Sequence, residues 1–237
     1  FRKMIEKNFY KGKKDRCFIL ATGPSINQID LSLLENEITI GVVAIQKSGF
    51  IPDYMVVSDP EALERDADYI FTKNKKIKHF VLGHSNTVPF QSYSNTKLKI
   101  IDNKTIVHTD GIDLAMHERT PDISKQQYYI DPELKTFSVY GGSCVQDLAV
   151  PTAVYLGFKE IYLVGVDGGF SHFYAKTHGE DRSAHKWIDR YGENRPAHNF
   201  IAVKHVLNNM GINIYNCSPS NNFKELEYKE LNKIVKL

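Results

Sequence analysis

The sequence predicts a doubly wound α/β fold on a mostly parallel sheet, and three observations carry that expectation. Short, nearly all-apolar runs alternate with stretches of helical periodicity from Cys17 to Asn216. Those runs lack the polar–apolar alternation of a half-exposed strand, as expected for strands covered on both faces. Several of them end in a glycine turn or a polar cluster, and ligands of open α/β sheets gather at that carboxyl edge.

The fullest example is Ser138–Phe170, SVYGGSCVQDLAVPTAVYLGFKEIYLVGVDGGF. Ser143 is placed to cap a helix starting at Cys144, because a serine oxygen accepts an unpaired first-turn N–H. Gly141 and Gly142 put no side chain between that helix start and a ligand, and the helix dipole favours an anion there. Val145, Leu148, Ala149, Thr152, Ala153 and Leu156 recur at helical spacing, and Gly157 supplies a left-handed cap. Pro151 removes one backbone hydrogen bond, which predicts a kink or a shortened helix. Ile161–Val166 reads as a buried strand with Asp167 at its carboxyl end, either facing a ligand or capping the next turn.

Composition sets the frame. A chain of 237 residues with 42% hydrophobic and 24% charged residues can bury a sizeable core and is not disordered. It predicts one large domain with a lid. A net charge of +2 does not call for nucleic acid. Cys17, Cys144 and Cys217 are too far apart for a metal knuckle and odd in number, which points away from a disulfide framework and toward a cytoplasmic setting. No apolar run reaches the ~18 residues of a membrane helix. The start at Phe1 points to a piece of a longer protein.

In chain order, Phe1–Arg16 is a basic linker or N-terminal helix, a solvated stretch or else a peripheral contact with an anionic membrane surface. Cys17–Ala21 is a buried strand followed by Thr22-Gly23-Pro24-Ser25. Gly23 permits a tight turn near a ligand, and Ser25 is placed as a cap, an arrangement that suits phosphates. It is neither a dinucleotide fingerprint nor a P-loop. Ile38–Ala44, Tyr54–Ser58, Lys78–Leu82 and Lys97–Ile101 are further strands, with Asp59 at the end of the second of them and a helix over Glu61–Ile70. Asp102–Lys135 is polar and poorly periodic, and reads as a long functional loop or an insertion. Ser171–Asn199 holds His172, His178, His185 and His198 with Tyr174, Trp187, Arg182 and Arg190, and too few aliphatics to be core. It reads as a lid, about 170–199, over the strand ends, with one histidine serving as general base for an anionic or sugar-like ligand. Phe200–Met210 is a helix, Ile212–Asn216 the last strand, and Asn222–Leu237 an amphipathic C-terminal helix that closes a domain spanning 17–221.

Three segments, ILATGPSINQID (Ile19–Asp30), IPDYMVVSDPEAL (Ile51–Leu63) and GGSCVQDLAVPTAVYLGFKEIYLVGVD (Gly141–Asp167), resemble the bacterial family-42 sialyltransferases. They resemble at least as closely a broader family that holds the central domain of motility-associated flagellin glycosyltransferases and 6-hydroxymethylpterin diphosphokinase-like proteins. The resemblance implies a single Rossmann-like, GT-A-like domain with a lid. It implies transfer of a nonulosonic or other acidic sugar from a CMP-activated donor to a surface glycan or glycoprotein acceptor, with no required metal. By resemblance Gly23, Pro24 and Ser25 line the nucleotide, Asp59 stands at a donor-contacting asparagine, Ser143 lies near the sugar carboxylate and Asp167 near the nucleotide, and Gly142 belongs to the same donor-binding set. Tyr174 and Arg190 from the lid would meet the leaving phosphate. His198 is the nearest match to the family's catalytic histidine, with His178 and His185 as alternatives. Ala44 and Gly169 depart from the pattern, standing where those enzymes carry a donor-reading asparagine and a phosphate-holding tyrosine.

Two other classes stay open. One is Mg²⁺-dependent diphosphate transfer to a pterin alcohol, with Asp59, Asp167 and Asp147 or Asp113 as ligands. The other is a non-catalytic sugar-nucleotide-binding module. A homo-oligomer and association with the inner face of the membrane complete the expectations.

Overall fold

The structure, a computed structural model, describes residues 5–42, 44–57, 77, 79–85, 105–112, 128–138, 144–168, 172–174, 200–220 and 222–236. Nine strands form one sheet: β1 (Arg16–Leu20), β2 (Thr39–Val42), β3 (Tyr54–Val57), β4 (His79–Ser85), β5 (Thr105–Ile112), β6 (Thr136–Ser138), β7 (Glu160–Val164), β8 (Asn213–Asn216) and β9 (Glu227–Tyr228). Their order is β6-β5-β4-β3-β2-β1-β7-β8-β9. Every pairing is parallel. This is the Rossmann-like α/β architecture that the alternation of runs predicts.

The period of two explains the sheet's double coverage. Along β1, Cys17 and Ile19 enter one core and Phe18 and Leu20 the other, and all four are fully buried. The first core is closed by helix α1 (Val150–Leu156) and helix α2 (Phe200–Asn209), through Val150, Ala153, Leu156, Phe200, Val203 and Leu207. The second is closed by 3₁₀ turns over Pro24–Gln28, Leu31–Leu34 and Ile45–Ser48 and by the short helix α3 (Leu231–Ile234), through Ile26, Leu34, Ile45 and Leu231.

Pro151 explains the form of the segment ahead of β7. Val145–Ala149 is a π-helical turn, and the Val150 N–H donates five residues back to the Val145 carbonyl. The looser turn comes just before proline, which has no N–H to continue the α ladder. Gly157 caps α1 at φ 94°, donating to the Ala153 and Val154 carbonyls.

Three expectations need correction. The stretch read as a long loop, Asp102–Lys135, contributes strand β5, which pairs with β4 over seven residues from His79–Thr105 to Ser85–Gly111. The C-terminal helix expected over Asn222–Leu237 is mostly absent: Phe223 and Leu226 are buried against the first core, Glu227–Tyr228 extends the sheet, and only Leu231–Ile234 is helical. The N-terminal linker or helix is an ordered strap of turns under the sheet. Its Asn8 and Tyr10 N–H groups donate to the Tyr155 and Leu156 carbonyls at 2.8 and 3.0 Å. Tyr10 stacks on Phe158 with centroids 4.9 Å apart. Strand Lys97–Ile101, helix Glu61–Ile70 and most of the lid lie outside the described residues.

Candidate functional site at the strand-order reversal

The chain builds outward from β1 through β2 to β6, then returns to place β7 on the other side of β1. The strand order therefore reverses between β1 and β7, and a doubly wound sheet opens a crevice beyond the carboxyl ends at such a point. The two polar turns singled out in the sequence, Thr22–Ser25 and Gly165–Gly168, follow those two strands.

The turns are fastened to each other. The Gly23 N–H donates to the Gly165 carbonyl at 2.8 Å. The Ser25 N–H and hydroxyl donate to the two oxygens of Asp167 at 2.7 and 2.5 Å. Ser25 is fully buried and Asp167 nearly so. From β8, the Ser218 hydroxyl accepts from the Val166 N–H at 2.8 Å, and Asn216 Nδ2 donates to the Val166 carbonyl at 3.0 Å. Asn222 Nδ2 donates to the Asp167 carbonyl at 2.7 Å. Three strand ends are thus joined by one polar network, whose buried members are worth most when all are paired.

This geometry changes the parts assigned to several residues. A Cβ on Gly23 would lie 2.5 Å from Asp167 Oδ2 and from the Gly165 carbonyl, so glycine is needed here for the close approach of the two turns. Ser25 does not cap its own turn: Gly23 is the N-cap of Pro24–Gln28, with no side-chain cap, and the Ser25 hydroxyl crosses to Asp167. The two amides at Gly23 and Ser25 offered to a phosphate are occupied within the protein. Asp167 is the capping group, acting from the neighbouring strand.

The base of the expected lid docks on the same turn. The Phe173 N–H donates to the Thr22 carbonyl at 2.9 Å, and Thr22 Oγ1 lies 2.9 Å from His172 Nδ1. His172 and Tyr174 stack with centroids 5.2 Å apart and planes within 2°. Lys47 Nζ sits 4.4 Å from the Tyr174 centroid. Tyr174 is buried, although its segment was read as too polar to join a core.

Beyond β2, Ala44 has φ 77°, an uncommon conformation for a residue with a side chain. Two positions on, Gln46 is 1% exposed, and neither Oε1 nor Nε2 has a hydrogen-bond partner among the described residues. Unpaired buried amides are rare and call for a reason. Sequence reasoning passed over Gln46 and Lys47, because one amide and one lysine in a short turn carry no pattern. Asp59, Gly142, Ser143, His178, His185, Arg190 and His198 lie outside the described residues.

Both oxygens of Asp167 already accept from Ser25, and Asp147 is 1% exposed within the π-helical turn. Among the described residues no group of three His, Cys, Asp or Glu side chains could hold an ion. No described helix is long and apolar enough to cross a membrane.

A family model described as 6-hydroxymethylpterin diphosphokinase MptE-like matches residues 2–173, more than half of the chain. Two solved structures share the fold. The MAf glycosyltransferase from Magnetospirillum magneticum AMB-1 superposes with a TM-score of 0.57 at 17% identity, covering 98% of this chain and 36% of that one. A variant of the sialyltransferase Cst-II in complex with CMP superposes with a TM-score of 0.56 at 14% identity, covering 92% of this chain and 87% of that one. No curated protein matches in sequence. The chain spans about a third of the MAf protein.

Proposed function

From the premise that this chain belongs to the MptE-like family, we propose that it is a glycosyltransferase domain that transfers a nonulosonic or other acidic sugar from a CMP-activated donor to a glycan or glycoprotein acceptor, with inversion and without a required metal. The observation that carries this reading is the strand-order reversal between β1 and β7, where such sheets open a crevice, on a fold shared with two glycosyltransferases, one of them bound to CMP. In this reading the Ser25–Asp167 clasp shapes the nucleotide crevice from behind. Gly142 and Ser143 meet the donor's anionic groups, and Asp59, Tyr174 and Arg190 complete its surroundings.

His198 takes the proton from the acceptor hydroxyl as the acceptor oxygen attacks the anomeric carbon, with His178 and His185 as the alternatives. The bond to the CMP phosphate breaks, and that phosphate leaves with its electron pair, held by donors aimed at the developing charge. The domain would work beside a membrane where surface glycans such as lipopolysaccharide or capsule are assembled.

The family's description favours a second reading, diphosphate transfer to a pterin alcohol. That chemistry needs carboxylates open to Mg²⁺, and the engagement of Asp167 with Ser25 speaks against it. A thermal-shift panel of CMP, CDP, UDP, GDP and ATP, with and without Mg²⁺, separates the two. CMP alone should stabilise the protein, by about 2.7 kcal/mol at a hundredfold excess over its dissociation constant. Stabilisation by ATP only with Mg²⁺ would replace the transferase with the kinase. Transfer by His198→Ala should fall by a factor of about 10² or more; a fall of only a few-fold moves the base to His178 or His185.

A further inference from the structure

Beside the reversal crevice lies an open cleft of about 460 Å³, between the turns Pro24–Gln28 and Leu31–Leu34 on one side and Ile45–Ser48 on the other. That volume is in the range of small-molecule sites, about 300–1,000 Å³. Asn27, Asp30, Lys47, Ser48, Phe173 and Tyr174 line it together with aliphatic side chains of the first two turns. Of these lining residues, Tyr174 alone has a part in the donor chemistry above.

Its chemistry differs from that of a nucleotide site in two ways. One carboxylate and one ammonium balance in charge, so nothing in the lining favours a phosphate. Tyr174 is 7% exposed, with His172 stacked on it and Lys47 over it, which leaves no face for a base to stack on. Asn27 Nδ2 donates to the Phe173 carbonyl at 3.3 Å, and the Ser48 hydroxyl donates to the Ile45 carbonyl at 2.7 Å. That leaves the Asn27 carboxamide oxygen and the second carboxylate oxygen of Asp30 as acceptors on an apolar frame, and two such acceptors fit the hydroxyl donors of a neutral ring. Asp30 is fixed for that task, since its carboxylate accepts from the Ser32 hydroxyl and N–H at 2.6 and 3.0 Å. The cleft is also connected to the crevice. Tyr174 stacks on His172, which meets Thr22 of the β1 turn.

We propose that this cleft is a binding subsite for a neutral saccharide, the acceptor glycan, adjoining the donor crevice. The assignment of that saccharide as acceptor rests on the transferase reading. The test is saturation-transfer NMR on the full chain with galactose, N-acetylglucosamine and lactose as probes, run beside the CMP thermal shift. At least one probe should receive saturation from the wild-type protein. Asn27→Trp, at an exposed position on the cleft wall, should reduce that signal tenfold or more. Asp30→Asn, which keeps an oxygen for Ser32, should weaken binding several-fold. The CMP shift should be the same in both variants as in wild type. The proposal is overturned if no probe binds, if both variants bind as wild type does, or if CMP displaces the saccharide. Saccharide binding with no response to any nucleotide would instead remove the donor reading and leave the cleft as a glycan site.

Discussion

At the amino ends of β1 and β7, the strap Ile5–Asp15 lays Tyr10 on Phe158 and joins the sheet through Asp15, whose carbonyl accepts from the Lys159 and Glu160 N–H groups at 2.8 and 2.9 Å. At the carboxyl ends of the same two strands, Ser25, Asp167, Ser218 and Asn222 hydrogen-bond to one another and to the backbone. One end is sealed by apolar rings and main-chain bonds, the other by a polar network with glycine at its closest approach. Removing a ring from the first end costs packing. Removing a polar group from the second leaves buried donors unpaired and changes the shape of the crevice. In the proposed function the carboxyl end is the working end.

The comparison can be broken from either side. The largest loss of stability should come from Phe158→Ala, at about 3–5 kcal/mol for a fully buried ring. Urea melts should show it, and the extra stability given by CMP should stay as in wild type. Asp167→Ala should cost less, about 2–3 kcal/mol, because it strands the Ser25 N–H and hydroxyl. Yet it should sharply reduce the CMP shift; a full shift in this variant would show that the clasp does not shape the crevice.

Near neutral pH the smallest effects concern the thiols. Cys144 is half-buried, whereas Cys17 and Cys217 are buried. Iodoacetamide at pH 8 should label Cys144 at least tenfold faster, as mass spectrometry of timed aliquots would report. Burial pushes the Cys217 thiol up to about 12. The unfolded thiol ionises near its ordinary value of about 8.5, so above that pH the unfolded chain binds fewer protons than the folded one. Stability should therefore fall as pH rises from about 8.5 toward 12, and Cys217→Ala should flatten the fall.

Much of this frame was legible in the residues. CFILA and IYLV are apolar on both alternating faces, and the sheet buries them on both. Gly157 and the helix at Phe200 follow from chemistry local to the chain. β5 was missed because TIVHTDGI mixes polar residues and glycine into its run, and its pairing rests on backbone groups that every residue carries. β9 was missed because Phe223, Leu226 and Leu231 keep a helical spacing while docking on the sheet for other reasons. The clasp could not be seen at all: Ser25 and Asp167 are 142 positions apart. Each carried a local signal for capping or for a ligand, and only the fold shows that they satisfy each other.

The strand order also has a consequence for biosynthesis. β1 is made before the other described strands, yet its partner on one side, β7, is made only after β2 to β6. Until then a strand that is apolar from Cys17 to Leu20 offers an open row of backbone donors and acceptors, which invites pairing with other nascent chains. The protein should therefore depend on chaperones while it is on the ribosome, and a version truncated before Glu160 should collect in inclusion bodies.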